Sequence, residues 1–244
     1  MPLLKSRKFG SSMKTSHLIA DSRGMFIIGR HTTRGGSAPT GITPEGEMRA
    51  EWSSRNLPKG VLLHVAHPNK PRHAATAQII YKSYPGERGM LMEFDSLNFD
   101  RYLTNAKEFD RLCELIKDPA VTQMWLRGEI GPEVVNEAKG VGRTILADVQ
   151  KKFHESEVKG KKNLLVSITS AGAEGAILKS LGIDPMTVKP KKAMSKERPA
   201  AGDLLRFTEG MLFFVGPKNE LIMKFRGRAF KIVRKSSGLV AVRA

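Results

Sequence analysis

Apolar residues in this chain gather in short unbroken runs separated by polar, glycine-rich or proline-rich stretches, the pattern of strands buried on both faces. Met25-Phe26-Ile27-Ile28, stopped by Gly29, predicts one such strand ending in a loop. Val61 to Val65 and Leu164 to Ile168 predict two more, and Met90 to Phe94 a shorter one. Helical signals lie between them. Thr43, Pro44, Glu45 and Gly46 combine a hydroxyl cap, a first-turn proline and an acid at the positive end of the helix dipole, which predicts a helix running to about Asn56. Pro71 to Tyr84 carries Ala74, Ala75, Ala77, Ile79 and Ile80 and reads as a second helix. From Val134 onward, Ala138, Val141, Ile145, Val149 and Phe153 recur every three or four residues, predicting a long amphipathic helix despite Gly140 and Gly142. Ala173 to Leu181 is helical until Gly182 stops it. Residues 184–202, rich in Pro, Lys and Ala, read as a mobile basic loop. Beyond them Met211 to Val215, Leu221 to Phe225 and Ala229 to Val233 alternate with turn signals and predict an antiparallel meander.

Strands alternating with helices predict a three-layer α/β/α sandwich with a mostly parallel central sheet. In such sheets ligands sit beyond the carboxyl ends of the strands. Arg30 and His31 fall at that end of the first strand, and Ser170 falls at the same end of the strand near residue 166. The expected organisation is a basic N-terminal tail over 1–23, one α/β domain over 24–235 and a C-terminal tail over 236–244.

Composition narrows the picture modestly. The 244 residues are 40% hydrophobic and 27% charged, enough for one large core with trimmings. The single cysteine, Cys113, excludes an intramolecular disulfide framework and fits a reducing compartment, with the cytoplasm as the default location. No run approaches the roughly 20 apolar residues a spanning helix needs, so no membrane span is expected. Lys5, Arg7, Lys8 and Lys14 with no acid describe a basic tail in preference to a transit peptide, because no amphipathic period accompanies them. The net charge of +17 favours polyanions, from phosphorylated substrates to nucleic acid, but it is spread along the chain and reads first as general basicity with nonspecific polyanion binding.

The chemistry concentrates in three short segments. The first strand ends Ile28-Gly29-Arg30-His31-Thr32-Thr33-Arg34-Gly35-Gly36-Ser37, and Gly41-Ile42-Thr43-Pro44-Glu45-Gly46-Glu47-Met48-Arg49-Ala50 follows at the next helix start. After the second strand comes Pro71-Arg72-His73-Ala74-Ala75-Thr76-Ala77. Together these resemble the signature of the histidine phosphatase (phosphoglycerate mutase-like) superfamily, in order and each at a predicted strand-to-helix transition, over roughly Met25 to Phe225. The resemblance implies a phosphoglycerate mutase-like fold, His31 as the phosphate-accepting nucleophile, and Arg30 and Arg72 as phosphate ligands. It also implies hydrolysis of a phosphomonoester, on a small molecule or a protein, through a phosphohistidine and without a cofactor.

The residue types suit that chemistry on their own account. A transferring phosphoryl group spreads charge over its equatorial oxygens, and the arginine fork binds such oxygens in pairs. A neutral imidazole is a competent nucleophile, and neighbouring arginines oppose its protonation. Glu93, in Met90-Leu91-Met92-Glu93-Phe94-Asp95, is the expected general acid because apolar neighbours would desolvate it, with Asp95 in reserve.

The chain departs from the family at one telling point. The family's second histidine, after the strand at Leu164 to Ile168, is replaced by Ser170 or, in another register, Ile168. A serine can donate a hydrogen bond to phosphate but brings no positive charge. Ser37 stands where asparagine is frequent. Two functional readings therefore stay open: a phosphatase, or a catalytically impaired relative that binds a phosphorylated or polyanionic ligand. His67 falls where it could face the same cleft, whereas His64 reads as structural. No spacing of His, Cys, Asp and Glu resembles a metal-ligand set. Gly140-Val141-Gly142-Arg143 lies inside a helical pattern and is no nucleotide loop, Trp52 and Trp125 read as packing residues, and the basic residues from Arg226 to Lys235 read as an edge strand that discourages aggregation.

Overall fold

A computed structural model describes residues 14–30, 41–116, 118–184, 188, 210–236 and 238–244. His31, Ser37 and nearly all of the 184–202 segment lie outside the described residues. Among the described residues, eight strands form one sheet in the order β3-β2-β4-β1-β5-β6-β7-β8. Four are parallel: β1 (Gly24–Arg30), β2 (Leu62–His67), β3 (Arg88–Glu93) and β4 (Asn163–Thr169). The meander expected after residue 210 continues the sheet antiparallel from β1 as β5 (Gly210–Val215), β6 (Leu221–Phe225), β7 (Arg228–Lys235) and β8 (Gly238–Arg243).

Helices cover both faces. On one side lie α1 (Thr15–Asp21), α2 (Pro44–Arg55) and α3 (Pro71–Ser83), whose buried residues join Met25, Leu63, Val65, Leu164 and Val166 in one core. On the other, α5 (Asp118–Arg127), α6 (Ala138–Ser156) and α7 (Ala171–Ser180) close a larger core on Phe26, Ile28, Leu165 and Phe213, with the half-buried α4 (Ala106–Ile116) at its margin. Alternate residues of β1, β2, β4, β5 and β6 serve opposite cores, as the pleat requires.

Local chemistry sets the helix ends. The Thr43 hydroxyl accepts from the Gly46 N–H at 3.1 Å, capping α2 as its sequence predicts. At the end of α7, the Ile183 N–H donates to the Leu178 carbonyl and the Gly182 N–H to that of Lys179, with Gly182 at φ 76°, a complete Schellman stop. The long helix starts at Ala138 rather than Val134, because Val134 and Val135 pack across a turn against Tyr102 and Leu103.

Other expectations are corrected. The described parts of both expected tails contribute to the fold. In α1 the buried Leu18 enters the core and the Lys162 ammonium donates to the carbonyl of Ala20, while the region taken as a C-terminal tail forms β8, paired along β7. The basic strand β7 is consequently not an edge. Trp125 is buried, with its indole N–H on the Asn136 carbonyl, but Trp52 is 63% exposed and packs on no core. The reason is that α2 buries the small stripe Gly46, Ala50 and Ser54, and the Ser54 hydroxyl reaches the Ile80 carbonyl of α3 at 2.6 Å. Bulky Met48 and Trp52 are left outside. Among the described residues, no helix is long and apolar enough to cross a membrane.

Candidate active site

The carboxyl ends of the parallel strands share one edge of the sheet. Arg30 closes β1 opposite Thr169 of β4, Ala66 of β2 pairs Ser167 of β4, and His67 pairs Glu93 at the end of β3. After β1 the chain continues into α2 on the smaller-core face, whereas after β4 it continues into α7 on the larger-core face. Neighbouring parallel strands whose connections leave in opposite directions open a crevice between their ends, the usual ligand position in such sheets. Arg30 and Ser170 flank that crevice.

Arg72 sits at the second position of α3, half-buried, after the turn that leaves β2. In the strand order it is two spacings from β1, about 10 Å, a gap that two arginine side chains reaching toward one anion can span. Gly41, where the described chain resumes after Arg30, lies beside it. This glycine has φ 70°, and a Cβ on it would lie 3.3 Å from the Cβ of Arg72. The segment bearing His31 therefore leaves from Arg30 and returns against Arg72, and only glycine combines that backbone conformation with so close an approach.

Ser170 caps α7, its hydroxyl oxygen accepting from the Ala173 N–H at 3.4 Å, which leaves the hydroxyl proton to donate elsewhere. The segment after β3 walls the crevice. Thr169 donates to the Leu97 carbonyl at 3.1 Å, and the Phe99 ring lies against Gly172 and edge-on to Trp125. This wall belongs to the stretch from 95 to 130, to which the hydrophobic pattern assigned no elements.

Glu93 does not have the environment expected of it. Its side chain is exposed rather than desolvated by Met92 and Phe94, which turn toward the larger core. The end of β3 is three spacings from β1, about 14 Å. Asp95 pairs with Arg101 at 3.1 Å and Asp100 pairs with Lys70, so Glu93 is the acid at this edge with no ion pair among the described residues. His67 is buried at the end of β2, its Nδ1–H donating to the Pro68 carbonyl at 3.0 Å.

His64 is structural, as its sequence context predicts. Its Nδ1 accepts from the Met90 N–H and its Nε2–H donates to the Asn163 side-chain oxygen, both at 3.2 Å, which defines the neutral tautomer. Burial pushes its pKa below the ordinary histidine value, opposed by the bond to Asn163. A histidine neutral in the native state and protonated in the unfolded one gives stability that is intact above about pH 6.5 and lost as pH falls toward the native-state pKa. Urea unfolding at a series of pH values is expected to show this decline, with a slope of at most about 1.4 kcal/mol per pH unit from this residue. His64→Gln should flatten it.

One buried acid went unnoticed in the sequence. Glu174, 1% exposed, lies in the first turn of α7. The signal that could have marked it is a lone acid within the apolar run from Ala171 to Leu178. Among the described residues, no cluster of His, Cys, Asp and Glu could hold a metal ion.

No protein-family model and no curated protein matches this sequence. Solved structures do match. The protein YhfR of Bacillus stearothermophilus aligns with TM-score 0.51 at 12% identity over 84% of this chain and 96% of its own. Phosphoserine phosphatase of Entamoeba histolytica in complex with 3-phosphoglyceric acid aligns with TM-score 0.47 at 16% identity, over 83% and 96% of the two chains. Phosphoglycerate mutase of Bacillus anthracis aligns with TM-score 0.46 at 12% identity, over 86% and 92%. The fold is the phosphoglycerate mutase-like α/β sandwich that the sequence predicts.

Proposed function

We propose that the chain is a phosphatase that hydrolyses a phosphomonoester through a phosphohistidine on His31. The observation that carries this reading is the close approach of Gly41 to Arg72, because it brings the chain that follows Arg30 and His31 back beside a second arginine. Arg30 and Arg72 hold the phosphoryl oxygens, and their charge keeps the His31 imidazole neutral for attack on phosphorus. Ser170 adds a hydroxyl donor from the other wall of the crevice, and Ser37 a further one from the His31 loop. Glu93, the acid left unpaired among the described residues at this edge, supplies the proton to the leaving oxygen once a bound substrate covers its exposed carboxyl. Water then hydrolyses the phosphohistidine, with no cofactor. The substrate is a phosphorylated small molecule or protein side chain.

Trapping tests the reading directly. Brief mixing with a labelled phosphomonoester and denaturation in alkali should leave phosphate on the chain in an acid-labile, base-stable bond. His31→Ala should leave none. Equal labelling of both proteins would remove the proposal. The position of Ser170 favours one second reading: with no imidazole there, the pocket binds a phosphorylated or polyanionic ligand without turning it over. Phosphate binding that depends on Arg72, with neither labelling nor turnover, would select it.

A further inference from the structure

The last three strands hold a charge pattern that the crevice does not use. Residues 221–244 contain seven Lys and Arg and not one acid. Strand β7 has β6 on one side and β8 on the other, so its share of these charges does not guard an edge. Phe230 and Ile232 of β7 enter the larger core, and the pleat turns Lys231, Val233 and Lys235 to the opposite face. Val242 and Val240 of β8 pair with Lys231 and Val233, and Ile222 of β6 also pairs with Lys231, so all of them share that face. The smaller core reaches Ile222 and stops there, with no residue of β7 or β8 in it. Lys231 and Lys235 are exposed, and so is Val242, at 44%. The face continues toward α1, where the Lys224 ammonium donates to the Thr15 hydroxyl at 2.6 Å, next to the exposed Lys14.

Lysines gathered on one sheet face repel one another, and no acid of these strands answers them. Their complement is a surface dense in anionic groups. The aliphatic residues between the lysines narrow the choice. Val233, Val240 and Val242 gain nothing from the polar grooves of a nucleic acid duplex, and the face offers no aromatic ring on which an unpaired base could stack. Addition of an acidic strand at β8 is obstructed, because the outward-pointing Ala241 N–H is taken by the Leu181 carbonyl at 3.0 Å. At the boundary of a bilayer, lysines meet lipid phosphates and carboxylates while valines leave water for the upper acyl region. We propose that this face of β6, β7 and β8 docks the protein on an anionic lipid bilayer. Lys231 and Lys235 contact the headgroups, and Val233, Val240 and Val242 lie against the apolar side of the interface. None of the crevice residues lies on this face, so docking and phosphate chemistry stand or fall separately.

Sedimentation with lipid vesicles tests the surface. At low salt the full chain should bind vesicles of phosphatidylcholine containing about a quarter phosphatidylglycerol, should ignore pure phosphatidylcholine, and should be released as added salt screens its charges. Lys231→Gln and Lys235→Gln should each weaken binding about fivefold, the contribution of one basic residue at such a surface. Val242→Asp should weaken it at least as much, by setting a carboxylate among the headgroups. Lys107→Gln removes the same charge from the exposed side of α4, at the margin of the larger core, and should change binding less than about twofold. No binding to the mixed vesicles, equal binding to neutral ones, or equal losses from Lys107→Gln and Lys231→Gln would overturn the proposal, the last by leaving only net charge at work. Binding of a DNA duplex that weakens in the same variants, with vesicles left unbound, would overturn it in favour of nucleic acid. The altered side chains are exposed, so melting curves should match that of the unaltered protein, and if Val242→Asp fails to fold the two lysine variants carry the test alone.

Discussion

Arg72→Ala is expected to lower kcat/KM toward a phosphomonoester by about a hundredfold to a thousandfold, the scale on which a single preorganised donor to transition-state charge is missed. The residue is half-buried at the start of α3, where the helix has further N–H groups to offer but no second guanidinium. Thermal unfolding should change little, since Pro71 and the buried Thr76, Ala77 and Ile80 hold the helix in place. Arg72→Lys restores charge without the planar fork and should recover only part of the loss. Steady-state kinetics on an aryl phosphate, with melting curves on the same samples, separate the two effects. Activity within about threefold of the unaltered protein would contradict the role given to Arg72, because an arginine that binds phosphoryl oxygens in pairs cannot be removed so lightly.

The largest expected effect on stability comes from Gly142→Ala. A Cβ at this position of α6 would lie 2.0 Å from the carbonyl oxygen of Ala176 and 2.3 Å from its carbon, both backbone atoms of α7. No rotamer change relieves such an overlap. The two helices would have to separate, at about 3 kcal/mol or more, which for a domain of this size lowers Tm by roughly 6–12 °C. Gly140→Ala, two residues earlier in the same helix, meets nothing within 4 Å and should raise stability by about 0.5–1 kcal/mol through helix propensity. Opposite signs at neighbouring glycines, measured by chemical denaturation, form the test.

These two glycines also show where the hydrophobic pattern has its limits. The long helix is legible because Val141, Ile145, Val149 and Phe153 form an apolar stripe, but nothing in the periodicity reveals that Gly142 marks the near-contact of two backbones. On α2 the pattern misleads about Trp52, since bulk there lies on the exposed side and the packing surface is made of Gly46, Ala50 and Ser54. Periodicity detects large residues, and close helix packing uses small ones. The strands were easier, because a strand buried on both faces reads as a continuous apolar run. The helix α1 buries one large residue, Leu18, in seven, and β8 is only half-buried along Gly238 to Ala241, so neither stands out from a tail.

The candidate site divides along a similar line. Arg30, Arg72 and Ser170 were legible because each stands at a strand-to-helix transition, and topology alone sends those transitions to one edge. Glu93 was legible as a residue type at that edge, but not as an exposed one: its apolar neighbours in sequence occupy the opposite side of the pleat and do not surround it. Glu174 escaped because its setting depends on α7 crossing β1, which requires knowing that β5 returns beyond β1. His31 and Ser37 are outside the described residues, and their roles rest on the motif and on the proposal above.

The pairing of β1 with β4 has a consequence for how the molecule comes together. These neighbours derive from opposite halves of the chain, with two other parallel strands and five α-helices, counted among the described residues, threaded between them in sequence. Such contacts close late and slowly. The proposed phosphate pocket would thus come into being only after the N-terminal half has met its distant partner. Affinity for phosphate would then report completed assembly, and a saturating anion, through linkage worth about 2.7 kcal/mol at a hundredfold excess over Kd, would act on the finished molecule as a latch.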